Sequence, residues 1–270
     1  MKYNIKKLSM LKNLDRKKLT ILLIGIIAGF IIGFTVKSIS SNVSSNKLEE
    51  EYNLKEDSLK LEVKKLEKEL SDKYRNPIET VTPTEDNWEL ILVNDTHLLN
   101  KDYVPELTEV ANGKSVDSRI ADNVTRMLND AEQAGMNLYV ISAYRSYEEQ
   151  RLVFDDSMKD RFNSGMTYLE SYEDTALSVA VPGQSEHALG LALDIVSADY
   201  LGLDEAQADT KEAKWLEENC YKYGFILRYP TDKQDITKIL YEPWHYRYVG
   251  EDVAEEIMSS HVTLEEYLGK

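Results

Sequence analysis

Between residues 117 and 135, apolar side chains fall at Ile120, Val124, Met127, Leu128 and Ala131. That spacing predicts an amphipathic helix, with Gly135 as its stop. The short run NLYVISA that follows predicts a strand, and YRSYEEQRLVFDDSMKDRF a second helix. Farther on, LGLALDIVSA predicts a strand, KEAKWLEENCYKYG a helix ending at Gly224, and FILRYP another strand. EPWHYRYVG is short and aromatic, and EDVAEEIMSSHVTLEEYL predicts a closing helix. Helices and strands mix without regular alternation and without a glycine-rich phosphate loop, so residues 88–270 are expected to form one α+β domain.

The chain ahead of that domain follows other periods. Leu19–Val36 is 18 residues without a charge, long enough to span a bilayer as a helix at ~1.5 Å per residue. Seven Lys or Arg precede it in residues 1–18, and only Lys37 follows closely. This bias predicts a single-pass anchor in the cell membrane, with a cytoplasmic N-terminus and an extracellular body. A cleaved signal peptide competes, with Ser38-Ile-Ser40 as its cleavage site, but the apolar run exceeds the usual ~7–15 residues of such a leader. Gly25, Gly29 and Gly33 share one helix face, which would let two such helices pack closely as a homodimer. Residues 37–47 predict a flexible linker. In 48–72, Tyr52, Leu59 and Leu66 lie seven apart with Glu56, Val63 and Leu70 between them. About three such repeats predict a short coiled coil or a single helical stalk. Residues 73–87, with Pro77 and Pro83, predict an extended linker.

Charge narrows the function. The chain carries a formal −16, but through Lys37 there are eight Lys or Arg against one acid, which leaves the remainder at −23. A body that acidic excludes nucleic acid as a partner, since phosphate binding needs a basic face. Cys220 is the single cysteine, so neither an intrachain disulfide nor a cysteine-based zinc cluster is available, and it reads as a small buried hydrophobe.

Four histidines remain to be placed. His187 and Asp194 sit close together in SEHALGLALDI, and His245 follows Glu242 by three residues. Two imidazoles and a carboxylate are the donor types of a catalytic zinc site, and a carboxylate beside a ligand histidine is placed to take a proton from water. By spacing alone the alternatives stay open: Asp194 also suits a turn cap and Glu242 an exposed carboxylate. The HExxH signature is absent. His97 and His261 lack acidic company and read as surface or structural.

Taken together, the motifs carry more. SEHALGLALD fits S-x-H-x-x-G-x-A-x-D and EPWH fits E-x-W-H, while ISAYRSYEEQ and LVNDTHLLNKDYVPEL precede them in order. In these four segments the chain resembles the VanY-type D-alanyl-D-alanine carboxypeptidases over roughly residues 88–270. The resemblance implies the hedgehog/DD-peptidase α+β fold with one Zn2+ on His187, Asp194 and His245, and Glu242 as the general base. It also implies that Arg145 holds an anionic part of the substrate, and that Ser185 and Gln150 line the cleft. Leu189, Leu191 and Leu193 would then pack a strand whose edge carries His187 and Asp194, with Gly190 and Ala192 small beside metal or substrate. The activity implied is that of a membrane-anchored enzyme trimming terminal D-alanine from peptidoglycan stem peptides. An L,D-carboxypeptidase cutting tetrapeptide stems is the nearest alternative. A non-catalytic wall-binding module would have no need for Glu242, and a coiled-coil adaptor would need none of the four motifs.

Overall fold

The computed structural model describes residues 78–270 and, ahead of them, Leu54, Lys55, Ser58, Lys60 and Leu61. Those five are helical and exposed. The apolar span 19–36, the 37–47 linker and the heptad positions of the 48–72 stalk lie outside the described residues. Among the described residues no helix is long and apolar enough to cross a membrane.

The described fold is already under way by Glu79, earlier than the expected boundary at Trp88. Strand β1 (Glu79–Val81) pairs in parallel with β2 (His97–Leu99), so part of the expected 73–87 linker belongs to the fold. Val81 packs on the main core, and Trp88 stacks on Tyr248 with ring centroids 5.9 Å apart. Strands β3 (Leu107–Ala111) and β4 (Lys114–Asp117) form a hairpin. Its two turn residues, Asn112 and Gly113, have φ of 53° and 70°. Two left-handed residues define the type I′ turn that matches strand twist, and Asn-Gly favours it most strongly.

Helix α1 (Ala121–Gln133) buries Val124, Met127 and Ala131. Strand β5 (Leu138–Ser142) follows. Helix α2 (Tyr147–Asn163) opens on a capping box between Ser146 and Glu149, and α3 (Tyr168–Ala176) on another between Thr167 and Glu170. Each N-cap of this kind contributes about 1 kcal/mol. The rest runs β6 (Ala192–Ser197), α4 (Lys211–Asn219), β7 (Phe225–Leu227), α5 (Gln234–Thr237), β8 (His245–Tyr248), α6 (Glu251–Ser260) and α7 (Leu264–Tyr267). The single closing helix expected at the C-terminus is two. It breaks at His261, whose φ is 54°, and restarts on a Thr263–Glu266 capping box.

The central sheet is antiparallel in the order β5-β6-β8-β7. Leu193, Ile195, Tyr246, Tyr248 and Phe225 share the main core with Val124 and Met127 of α1 and with Leu216 of α4. Fully burying one such aliphatic side chain contributes about 1.5–3 kcal/mol, so this face holds the sheet together. Strand alternation turns Ala192, Asp194, His245 and Arg247 to the other face. Cys220 is buried in the main core, where burial pushes its thiol up to about 12. It is inert packing.

The run expected to be one strand from Leu189 begins instead at Ala192. Residues Glu186–Leu189 form a 3-10 turn, and Gly190 follows with φ of 73°. A Cβ there would lie 2.7 Å from the Asp117 backbone nitrogen, whose N–H donates to the Gly190 carbonyl. Glycine is therefore required for close approach to β4, and not to leave room beside a metal.

Candidate active site

Register decides the site. Asp194 of β6 lies directly opposite His245 of β8, on the face away from the core. The 3-10 turn ahead of β6 brings His187 to the same point. His187 Nδ1 donates to the Ala143 carbonyl at 2.7 Å, which leaves Nε2 bare, 3.2 Å from Asp194 Oδ2. His245 Nδ1 is 3.0 Å from Asp194 Oδ1. The imidazoles meet edge to face at 87° with centroids 5.0 Å apart. One donor atom from each of the three residues lies within 4.8 Å of the others, and all three side chains are buried. Donors at about 2.1 Å from a tetrahedral zinc sit about 3.4 Å apart; the short separations here reach the two different oxygens of Asp194, so one oxygen with the two imidazoles closes on a metal after a small adjustment. The donor set fits as well: two nitrogens and a carboxylate are three protein ligands, the number a catalytic zinc takes when its fourth position is left to water or substrate.

Glu242, Pro243, Trp244 and His245 form a β-turn closed by His245 N–H donating to the Glu242 carbonyl at 3.2 Å. Proline at the second position presets such a turn, and it turns both ends towards the site. Glu242 Oε2 is 3.8 Å from His245 Nδ1. Burial pushes the Glu242 carboxyl up to about 8, with Asp194 adding and His245 and Arg145 opposing. Burial also opposes charge on Asp194, but the two histidines hold it well below the usual carboxylate range. His187 is held below its ordinary value by burial. For His245, burial acts the same way, yet its hydrogen bond to Asp194 and the nearby Glu186 carboxylate raise it to about 9.

Arg145 enters from the loop between β5 and α2. Its Nη2 donates to Ser142 Oγ at 2.7 Å and lies 3.7 Å from Asp194 Oδ2, while Nη1 donates to Gln150 Oε1 at 2.7 Å. The side chain remains 19% exposed, enough to meet a ligand. Gln150 stands behind it, 1% exposed, and its amide nitrogen donates to the Ala180 carbonyl. With both ends of its amide engaged inside the protein, Gln150 reaches the cleft only through Arg145. Ser185 is buried as the residue that opens the His187 turn. The structure thus gathers His187, Asp194, His245, Glu242 and Arg145 at one point, with Gln150 behind Arg145 and Ser185 buried at the start of the His187 turn. His97 bonds locally to Asn94 and Thr96, and His261 caps α6 at the surface.

Sequence reasoning passes over the charges beneath this site. Glu186 sits between Arg228 and Arg247, and Glu265 closes on Arg228. The available signal is local: Glu186 adjoins His187, and Arg247 follows His245 by one strand period.

A buried His-Asp-His donor set with a carboxylate poised beside it, on the polar face of an α+β sheet, defines a zinc peptidase. The family described as VanY, D-alanyl-D-alanine carboxypeptidase, matches residues 113–251. A D-alanyl-D-alanine carboxypeptidase of Enterococcus faecalis (strain ATCC 700802 / V583) is 40% identical over 184 residues, covering 68% of this chain and 67% of that protein. A solved VanY D,D-pentapeptidase from a VanB-type vancomycin resistance cassette, a point variant in complex with Zn(II), is 39% identical with a TM-score of 0.61. That match covers 67% of this chain and 99% of the solved one. The LdcB LD-carboxypeptidase is 36% identical with a TM-score of 0.61, over 72% of this chain and 90% of that one. The chain belongs to the VanY family of D-alanyl-D-alanine carboxypeptidases, and its cofactor is zinc.

Proposed function

We propose that this protein is a membrane-anchored D,D-carboxypeptidase that removes the terminal D-alanine from peptidoglycan stem peptides. The observation that carries the reading is the convergence of Glu242 and Arg145 on the His187–Asp194–His245 donor set. When bound, zinc supplies Lewis-acid polarisation of the scissile carbonyl and lowers the pKa of water towards ~7. Glu242, held beside the donors by its turn, takes the proton of the attacking water and returns it to the departing amine. Arg145 presents a planar fork suited to a carboxylate or a developing oxyanion, and Gln150 and Ser142 aim that fork. The body's net charge of −23 beyond Lys37 repels an anionic peptide at long range, so a local cation is needed where the terminal carboxylate docks.

The names of the Enterococcus relative and of the VanY structure support D,D-specificity, and the LdcB likeness marks L,D-cleavage as the alternative to exclude. Digestion of defined pentapeptide and tetrapeptide stems by the zinc-loaded protein separates the two. Release of D-alanine from the pentapeptide supports the proposal; cleavage of the tetrapeptide alone overturns it. Arg145→Lys keeps the charge but loses the fork, and should weaken cleavage of free-acid stems. Amidation of the stem's C-terminus should hurt the parent far more than this variant. Equal cleavage of amidated and free stems by the parent would make it an endopeptidase.

The charge bias around Leu19–Val36 supports a single-pass anchor with the catalytic domain outside, and the glycine face and heptads support self-association. Full-length protein should fractionate with membranes and yield its body to protease added outside wall-stripped cells. A mature soluble form starting near Ser41 would support a cleaved leader instead.

A further inference from the structure

Beneath the donor set lies a buried cluster of charges that the proposed hydrolysis does not use. Glu186, 1% exposed, points Oε1 at two guanidiniums: Arg228 Nε donates to it at 2.8 Å and Arg247 Nη1 at 2.9 Å. Arg228 is closed on its other side by a two-point pair with Glu265 at 2.9 and 2.6 Å. Arg247 directs its remaining donors to the backbone carbonyls of Tyr248, Glu89 and Ile91. Two carboxylates against two arginines leave the cluster neutral.

Two of its atoms stand out. Among the described residues only three buried side-chain polar atoms lack a partner, and two of them are Glu186 Oε2 and His245 Nε2. They face each other at 3.6 Å, so a movement of about 0.8 Å would bring them to ordinary hydrogen-bond distance. A buried polar atom left unpaired costs about 1–3 kcal/mol, which favours closing the gap. The two histidines therefore differ in how their tautomers are set. His187 is held through Nδ1 by the Ala143 carbonyl and offers Nε2. His245 turns Nδ1 to Asp194 and Nε2 to Glu186.

We propose that Glu186 is a positioning residue for the metal centre. Its Oε2 accepts the Nε2–H of His245, which leaves Nδ1 bare for zinc, while Arg228 and Arg247 hold the carboxylate in place. A carboxylate behind a ligand imidazole fixes its tautomer and raises its basicity. This role rests on the ligand assignment made under the proposed function.

Glu186→Gln tests it through the two arginines. Both donate to Oε1, so the amide carbonyl must stay there, and the new NH2 group then faces His245 Nε2. A donor at that point makes Nε2 the acceptor and moves the ring proton to Nδ1, the atom the metal needs. Zinc affinity of the full chain, measured by competition with a chromophoric chelator, should fall about 10–100-fold. In the zinc-loaded parent with 15N-labelled histidine, NMR should show His245 protonated at Nε2 and His187 at Nδ1. This second readout needs no variant, so it stands even if Glu186→Gln fails to fold. Glu265→Gln loosens Arg228 but leaves Glu186 facing His245, and should lower zinc affinity much less. Parent-like zinc affinity in Glu186→Gln, a bare Nε2 on His245 in the loaded parent, or equal losses in the Glu186 and Glu265 variants would each overturn the proposal. Stoichiometric zinc retained by His187→Ala would instead defeat the ligand assignment beneath it.

Discussion

Replacing Glu242 by glutamine should stabilise the metal-free protein and at the same time remove its turnover. The carboxyl is 7% exposed, and burial, aided by Asp194 and opposed by His245 and Arg145, lifts it from an ordinary 4.5 to about 8. An unfolded chain releases this proton near pH 4.5, while the folded one keeps it to about 8. Between those values the unfolded state binds fewer protons, so the stability this group permits is complete below pH 4.5 and is lost as pH rises towards 8. At 1.36 kcal/mol per pH unit, the deficit is under about 1 kcal/mol at pH 5, about 3 at pH 7 and about 5 above pH 8. Glutamine keeps the size and carries no ionisable proton, so the variant should recover those amounts. A domain of this length shifts by about 2–4 °C per kcal/mol, which gives a rise in Tm of about 6–12 °C at pH 7. Thermal unfolding of metal-free parent and variant at pH 5, 7 and 9 reads the effect directly. Saturating zinc should shrink the gap at pH 7, because a nearby cation favours the carboxylate. Turnover of the zinc-loaded variant should drop by at least ~10² if Glu242 is the general base. A stability difference of the same size at pH 5 and pH 9 would place its origin in packing, and a less stable variant at pH 9 would refute the buried-charge argument.

Purified parent should carry about one zinc per chain, and His187→Ala or His245→Ala should lose it; metal analysis of the dialysed proteins checks this. Without metal His245 holds its proton to about 9, so zinc must displace that proton at neutral pH. Apparent affinity should therefore climb about tenfold or more per pH unit from 7 to 9 and then level off. Calorimetry at pH 7 in two buffers of different ionisation enthalpy should register release of at least one proton, and no release would contradict the assignment. Gly190→Ala should destabilise the fold by more than the about 1–2 kcal/mol of a left-handed alanine, because its Cβ also meets the Asp117 backbone nitrogen at 2.7 Å. An unchanged Tm would contradict that reading.

Much of this protein is written locally. The period of Ile120 to Ala131 specifies α1, Ser146 and Glu149 mark the start of α2, and alternation in ALDIVS tells which β6 side chains face the core. Asn112-Gly113 and the Thr167–Glu170 box were equally legible signals for the hairpin and α3. The donor types His187, Asp194 and His245, and Glu242 three residues before the last of them, could be picked out because each lies in a short motif. Other features depend on residues far apart in the chain. Only the pairing of β6 with β8 sets Asp194 opposite His245, and only the approach of β4 explains why position 190 must be glycine. The left-handed turn there also interrupts, at its start, a run that reads as uninterrupted strand. The Glu186–Arg228–Glu265–Arg247 cluster joins side chains from four separate segments of the chain, and no periodicity links them. Local pattern determines which face a side chain takes, because helix and strand geometry repeat every few residues. Which distant side chains meet on that face is decided by packing, through strand register and burial, and here those two turn a set of polar residues into a metal site with its supports.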